Sequence, residues 1–185
     1  MTRIIAGLAA QTSLSIPSSG TRPTSDRVRE ALFAALDARG AIDEARVLDL
    51  FAGSGALGLE AASRGAASVV LVDSAKPAAA VAQRNANAVA ERGAARASVV
   101  TQRAERFLAD SDAEFDLVLI DPPYDLDAGV LHETLTLLVT LLADDAIVVL
   151  EQSKRAGAPD VPGLELERSK KYGDTVIHWL SPTLG

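Results

Sequence analysis

Two short stretches carry the residue types that could do chemistry. One is Asp121-Pro122-Pro123-Tyr124, which joins a carboxylate acceptor, two prolines and an aromatic face. Consecutive prolines fix φ and restrict the residue before them, so the acceptors around them are held in one arrangement. The other is Asp49-Leu50-Phe51-Ala52-Gly53-Ser54-Gly55-Ala56-Leu57-Gly58. It lies between an apolar run and an Ala-rich helical run, as strand, glycine turn and helix start. Glycines allow positive φ and close backbone approach to a ligand. The helix N-terminus adds unpaired N–H groups and partial positive charge. Such a turn is a cofactor cradle.

The spacing Gly53-x-Gly55-x-x-Gly58 matches a dinucleotide fingerprint, with Asp73 20 residues beyond Gly53 where a ribose-binding acid belongs. An NAD-dependent oxidoreductase is therefore one reading. Against it stands Asp49, because a carboxylate just before a pyrophosphate-binding turn would repel the phosphates. A cofactor with an ammonium group would welcome it. S-adenosylmethionine carries an amine, a carboxylate and a ribose but no pyrophosphate, and it matches these charges better.

The elements that must position these residues follow from the apolar pattern. Strands are expected at Val47–Phe51, Ser68–Asp73, Ala97–Thr101, Phe115–Ile120 and Asp145–Glu151, with a closing antiparallel hairpin of Leu164–Lys170 and Thr175–Leu180. Helices are expected from Pro23-Thr24 onward, after the glycine turn to about Arg64, from Pro77 to about Arg92, over Arg103–Ala109, and from about Ala128 to Leu142. Thr24 or Ser25 can cap the first of these. On it, Val28, Leu32, Phe33 and Leu36 make the apolar stripe, and Arg27 and Arg29 are read as lying off it, surface arginines able to face anions. Strand alternating with helix gives an α/β fold, a doubly wound, mostly parallel seven-stranded sheet. Residues 1–20 are read as an N-terminal β-hairpin or arm, and 21–185 as one domain.

The 185 residues contain no cysteine, which removes disulfides and thiolate metal sites. His132 and His178 have no partner spacing and are read as structural, so no metal is expected. No apolar run approaches the roughly 20 residues of a membrane span, and the first residues lack the apolar core of a signal peptide. A cytoplasmic monomer is expected. The formal charge of −7 argues against general nucleic-acid binding, although Arg22, Arg27 and Arg29, then Lys154 and Arg155, then Arg168, Lys170 and Lys171 form basic clusters.

Asp121-Pro122-Pro123-Tyr124 resembles the D/N-P-P-Y/F motif of class I, Rossmann-like S-adenosylmethionine methyltransferases that act on exocyclic amino nitrogens. Arg22-Pro23-Thr24-Ser25-Asp26-Arg27-Val28-Arg29-Glu30-Ala31-Leu32-Phe33 resembles the signature helix of bacterial 16S ribosomal RNA guanine-N2 methyltransferases. Arg3-Ile4-Ile5-Ala6-Gly7, the glycine turn and Tyr172-Gly173-Asp174-Thr175 are similar to that family too, so the resemblance spans nearly the whole chain. It departs in two places. Leu8 to Leu14 is uncharged where the family carries basic residues. Arg103-Ala104 stands where an acid-Ala pair commonly reads the adenine edge, leaving that hydrogen bond to the backbone or absent.

The resemblance implies an S-adenosylmethionine site built from Asp49, Phe51, Ala52, Gly53, Ser54, Gly55, Asp73, Ser74, Arg103 and Ala104. It implies 16S rRNA, within the small ribosomal subunit or an assembly intermediate, as partner. Asp121 and the Pro122 carbonyl would accept from the guanine amine, Pro123 would fix the turn, and Tyr124 would stack on the base. Arg22, Arg27 and Arg29 would hold phosphates. Weak binding to naked RNA follows from the acidic total. The rivals are an adenine-N6 methyltransferase, for which no target-recognition domain is seen, the oxidoreductase, and a non-catalytic RNA-binding module.

Overall fold

A computed structural model of the chain describes residues 2–17 and 26–183. Thr2–Arg3 (β1) and Ser13–Leu14 (β2) pair antiparallel as an N-terminal hairpin. The helix Asp26–Ala38 (α1) follows, then Arg46–Leu50 (β3), Ala56–Ser63 (α2), Ser68–Asp73 (β4), Lys76–Ala90 (α3), Ala97–Thr101 (β5), Ala104–Asp110 (α4), Phe115–Ile120 (β6) and Ala128–Leu138 (α5). The last turn of α5 tightens into a short 3-10 turn, Val139–Leu141, so the helix ends earlier than its apolar pattern suggested. The chain then enters Leu142–Ser153 (β7) and closes with Leu164–Tyr172 (β8) and Thr175–Pro182 (β9). Arg22, expected to hold phosphates, and the caps expected at Thr24 or Ser25 lie outside the described residues.

The seven-stranded sheet has the order β5-β4-β3-β6-β7-β9-β8. Strands β3 to β7 pair parallel. Strand β9 returns antiparallel between β7 and β8, as expected for a connection with no crossover helix. One apolar layer packs Leu32, Phe33 and Leu36 of α1 with Leu59 and Val89 of α2 and α3. The other packs Leu108, Leu131, Leu135 and Leu138 of α4 and α5. Burial on both faces is why the central strands read as nearly continuous apolar runs. Chain order reverses between β3 and β6, and that crevice at the carboxyl ends is where open α/β sheets bind ligands.

The hairpin is clamped onto α2. The Glu60 carboxylate, fully buried, accepts from Ile5 N at 2.7 Å, Ala6 N at 3.0 Å and Arg64 Nε at 2.8 Å. Leu8 N donates to Ser63 O at 2.8 Å, and Ala9 N to Ser63 Oγ at 2.9 Å. Gly7 makes this approach possible, since a Cβ there would stand 1.8 Å from Ser63 O, and its φ is +84°. Gly7→Ala is expected to lift the hairpin and cost about 2–4 kcal/mol. The check is a lower denaturant midpoint, together with faster proteolytic cleavage within residues 2–17.

Candidate active site

Parallel pairing brings three carboxylates to one end of the sheet. Asp49 is the penultimate residue of β3, Asp73 ends β4, and Asp121 follows the last residue of β6. They line one cleft of about 270 Å³, with Phe51, Ala52, Gly53 and Ser54 of the glycine turn as floor. The turn is built by left-handed backbone: Gly53 has φ +56° and Gly55 +79°. Phe51 shares that region with φ +61°, a rare conformation for a bulky side chain and a local strain at the cleft.

Each carboxylate has a distinct setting. Asp49 is 1% exposed, and its Oδ2 accepts from Gly58 N at 2.8 Å. Burial pushes its pKa up to about 8; the Gly58 N–H opposes the rise and the charges of Asp121 and Asp73 add to it. Asp73 ties the turn to the next helix: Oδ2 accepts from Gly53 N and Oδ1 from Ala75 N, both at 2.8 Å. A carboxylate oxygen has a second lone pair, so Asp73 can also receive hydroxyls. Asp121 is half-buried in the cleft wall. Asn85 on α3 braces the arrangement, with Nδ2 donating to Ser54 O and Ser15 O at 2.9 Å each.

A shallower extension of about 240 Å³ continues past Asp73 and Ser74, lined by Phe51, Arg103, Ala104 and Leu126. The Arg103 guanidinium is exposed and pairs with Glu105 at 3.2 Å, while Ala104 is buried at the start of α4. Both residues line the extension, and the arginine's charge is paired with its neighbour Glu105.

Asp121-Pro122-Pro123-Tyr124 forms a partition. Asp121 lines the first cleft, Pro122 and Tyr124 line a second cleft of about 340 Å³, and Pro123 lines both. Leu131, His132, Gln152 and the loop 156–161 complete the second cleft. Tyr124 is 61% exposed, and its hydroxyl is 2.9 Å from Thr175 Oγ1, which links the partition to the β8–β9 hairpin. Thr175 stood in the sequence only as the end of Tyr172-Gly173-Asp174-Thr175, with no role attached to it. Glu60 could have been found, because a lone acid in the run Gly58-Leu59-Glu60-Ala61-Ala62 must be buried and therefore partnered.

Arg29 requires a correction. It was expected on the surface beside Arg27, holding RNA phosphates, but it is 1% exposed and lines the first cleft. The reason is helical spacing: Arg29 precedes Phe33 by four residues and Leu36 by seven, so it shares their buried face. Its Nη2 donates to Arg3 O at 2.5 Å and to Asp26 Oδ1 at 2.9 Å. Arg27 is exposed. Among the described residues no helix is long and apolar enough to cross a membrane.

A family model described as "Conserved hypothetical protein 95" matches residues 2–181. The chain is 42% identical over 175 residues to ribosomal RNA small subunit methyltransferase D of Escherichia coli, spanning 92% of this chain and 85% of that one. It is 34% identical over 182 residues to the putative rRNA methyltransferase YlbH of Bacillus subtilis, spanning 95% and 96%. Among solved structures, the putative methyltransferase yhhF from Escherichia coli superposes with TM-score 0.84 at 38% identity and 97% coverage of both chains. Magnesium protoporphyrin IX methyltransferase from Synechocystis, solved with bound SAM, shares the fold with TM-score 0.68 at 17% identity.

Proposed function

This chain belongs to the Conserved hypothetical protein 95 family of ribosomal RNA methyltransferases, and on that premise we propose that it moves a methyl group from S-adenosylmethionine to the N2 amine of a guanine in 16S rRNA of the small ribosomal subunit. The observation that carries this reading is the partition. Asp121 borders the cleft with the glycine turn, and Pro122 and Tyr124 border the neighbouring one. A methyl donor and an acceptor base would meet across four residues.

The first cleft has the polar groups such a cofactor asks for. Asp49 is the buried carboxyl whose ionised form would face its ammonium, Asp73 an acceptor for ribose hydroxyls, and Gly53 the close backbone beneath its methionine end. When bound, the cofactor supplies an electrophilic methyl on a sulfonium. The protein's part is to present the nucleophile. The lone pair of an exocyclic guanine amine is delocalised into the ring. Acceptance of its two hydrogens by the Asp121 carboxylate and the Pro122 carbonyl favours a pyramidal nitrogen whose lone pair faces the methyl. Pro122 and Pro123 hold both acceptors still, and positioning of this kind can supply about 7–11 kcal/mol of a barrier.

Tyr124 offers the base its ring. A stacking contact is worth about 1–3 kcal/mol, so Tyr124→Ala is expected to lower kcat/KM for the RNA substrate by roughly tenfold or more. Tyr124→Phe keeps the face and loses only the Thr175 contact, and it should stay within about threefold. S-adenosylhomocysteine affinity should be unchanged in both, as calorimetry can check. The net charge of −7 supports a substrate that is a pre-formed particle, since an acidic protein gains little from naked phosphates. The test of the activity is transfer of labelled methyl from S-adenosylmethionine to small-subunit particles lacking the modification. Incorporation into particles and little into free RNA is expected; binding of NAD in place of S-adenosylhomocysteine, with no transfer, would overturn the reading.

A further inference from the structure

The rim of the second cleft is electrically divided. Between Phe107 and Ser153 the sequence has no Lys or Arg. The α5 side therefore carries only acids, with Asp125, Asp127 and Glu133 exposed, and the loop adds Asp160. Cations return at Lys154 and Arg155, which stand between Ser153 and Ala156, both lining residues of the cleft. Strand register decides which lysine of β8 joins them. Lys171 pairs with Val176 of β9, and Val176 pairs with Gln152 of β7. Residues directly opposite across a ladder share a face. Lys171 therefore lies on the face of Gln152, which lines the second cleft, two strand spacings or about 10 Å away. Lys170 and Arg168 have the other parity. They stack on Tyr172 at 5.1 Å and Trp179 at 4.8 Å, rings of the layer on the α1 side. Lys154, Arg155 and Lys171 are all exposed. Asp174 pairs with Lys154, whereas among the described residues no salt bridge engages Arg155 or Lys171.

We propose that Arg155 and Lys171 are phosphate contacts, forming a docking edge over which the RNA backbone enters the second cleft from the β8–β9 side. The assignment rests on reading that cleft as the seat of the acceptor base. The Tyr124 hydroxyl, 2.9 Å from Thr175 Oγ1, ties the stacking ring to the residue just before Val176. A base on Tyr124 thus has its own backbone within reach of the rung that carries Lys171. Approach from the α5 side would bring phosphates against Asp125, Asp127 and Glu133, which repel them. An edge of two free cations on a protein of charge −7 orients a particle without holding naked RNA tightly, since phosphate affinity grows with the number of contacts. Phosphate contacts of this kind set register and orientation and leave the choice of base to the cleft.

The experiment follows methyl transfer by the full chain to small-subunit particles lacking the modification, across about 50–200 mM monovalent salt. The double variant Arg155→Ala, Lys171→Ala is expected to raise KM for particles about tenfold. Its single-turnover rate at saturating particles should stay within about twofold, and its S-adenosylhomocysteine affinity should be unchanged. The fall of log(kcat/KM) with log salt should become shallower by about 1.5, the value for two lost phosphate contacts. Lys170→Ala removes the same charge from the adjacent residue on the opposite face and should stay within about twofold, whereas Lys171→Ala should cost about three- to fivefold. Arg84 and Arg92 are exposed on and just past α3, and removing both should leave KM unchanged although the total charge falls equally. A photo-crosslinker at position 171 (Lys171→p-benzoylphenylalanine) should join the protein to 16S rRNA. Equal effects at Lys170 and Lys171, an unaltered salt slope in the double variant, or a crosslink to ribosomal protein only would each overturn the docking edge and leave the methyl-transfer reading standing. Wild type that transfers no methyl to particles removes that reading, and the docking edge with it.

Discussion

Asp121→Ala is expected to lower the methyl-transfer rate by roughly 10²–10³ in single turnover, the range for losing a positioned polar group that acts in the transition state. Binding of S-adenosylhomocysteine should change by no more than about threefold, because Asp73 and the glycine turn keep their mutual hydrogen bonds without it. Asp121→Asn retains a carbonyl oxygen in the same position and should recover about tenfold of the loss. Recovery by Asn separates an acceptor that orients the amine from a base that removes its proton, since an amide accepts hydrogen bonds but not protons near neutral pH. A pH–rate profile of the Asn variant matching that of wild type in shape would be the accompanying sign.

The second large effect is at Asp49, where affinity and stability should move in opposite directions. The folded pKa of about 8 lies above the ordinary aspartate value of 3.8. The folded protein therefore keeps a proton that the unfolded chain releases. The contribution of neutral Asp49 to stability is complete below about pH 4, declines as pH rises toward 8, and is lost above it. The loss over that window is on the order of 6 kcal/mol. Asp49→Asn keeps an oxygen for Gly58 N and has no charge to bury, so the apo variant should be the more stable of the two at pH 8, by denaturant midpoint. Its cofactor affinity should fall by roughly 100-fold, the upper part of the range for a lost hydrogen bond to a charged group.

Binding is linked to the same proton. An ammonium beside Asp49 requires the carboxylate form, so S-adenosylhomocysteine should bind about tenfold more tightly per pH unit as pH rises from about 6.5 toward 8. Calorimetry in buffers of different ionisation enthalpy should show about one proton released at the lower pH. In Asp49→Asn both the slope and the released proton should vanish. A wild-type affinity that does not change with pH across this window would contradict the assignment of Asp49 to the amine.

Most of what places these groups was legible in the sequence, for a physical reason. Strands buried on both faces must be mostly apolar, so Val47–Leu50, Val69–Val72 and Leu117–Ile120 stood out, and an acid within or just after such a run is conspicuous. The antiparallel close was legible because Tyr172-Gly173-Asp174 leaves no room for a crossover helix. The error at Arg29 came from letting residue type outweigh spacing. Its register with Phe33 and Leu36 put it on the buried stripe, but arginines are rarely buried unless paired, and while Asp26 lies one turn away on α1, the Arg3 carbonyl arrives only when the hairpin folds back. Asn85 was silent for the same reason. Its bonds run to Ser15 and Ser54, and nothing local on α3 announces them. The end of α5 was set by the tightening of its last turn into β7, a boundary that apolar periodicity does not mark.

The central claim is that the partition presents the N2 amine of a guanine in small-subunit rRNA to the methyl donor. Its most direct measurement is mass-spectrometric mapping of that RNA after particles lacking the modification are incubated with the protein and S-adenosylmethionine, beside a reaction with Asp121→Ala. A single new N2-methylguanine, present with wild type and nearly absent with the variant, is the predicted result. Methylation on adenine N6, or no N2-methylguanine at all, would contradict it.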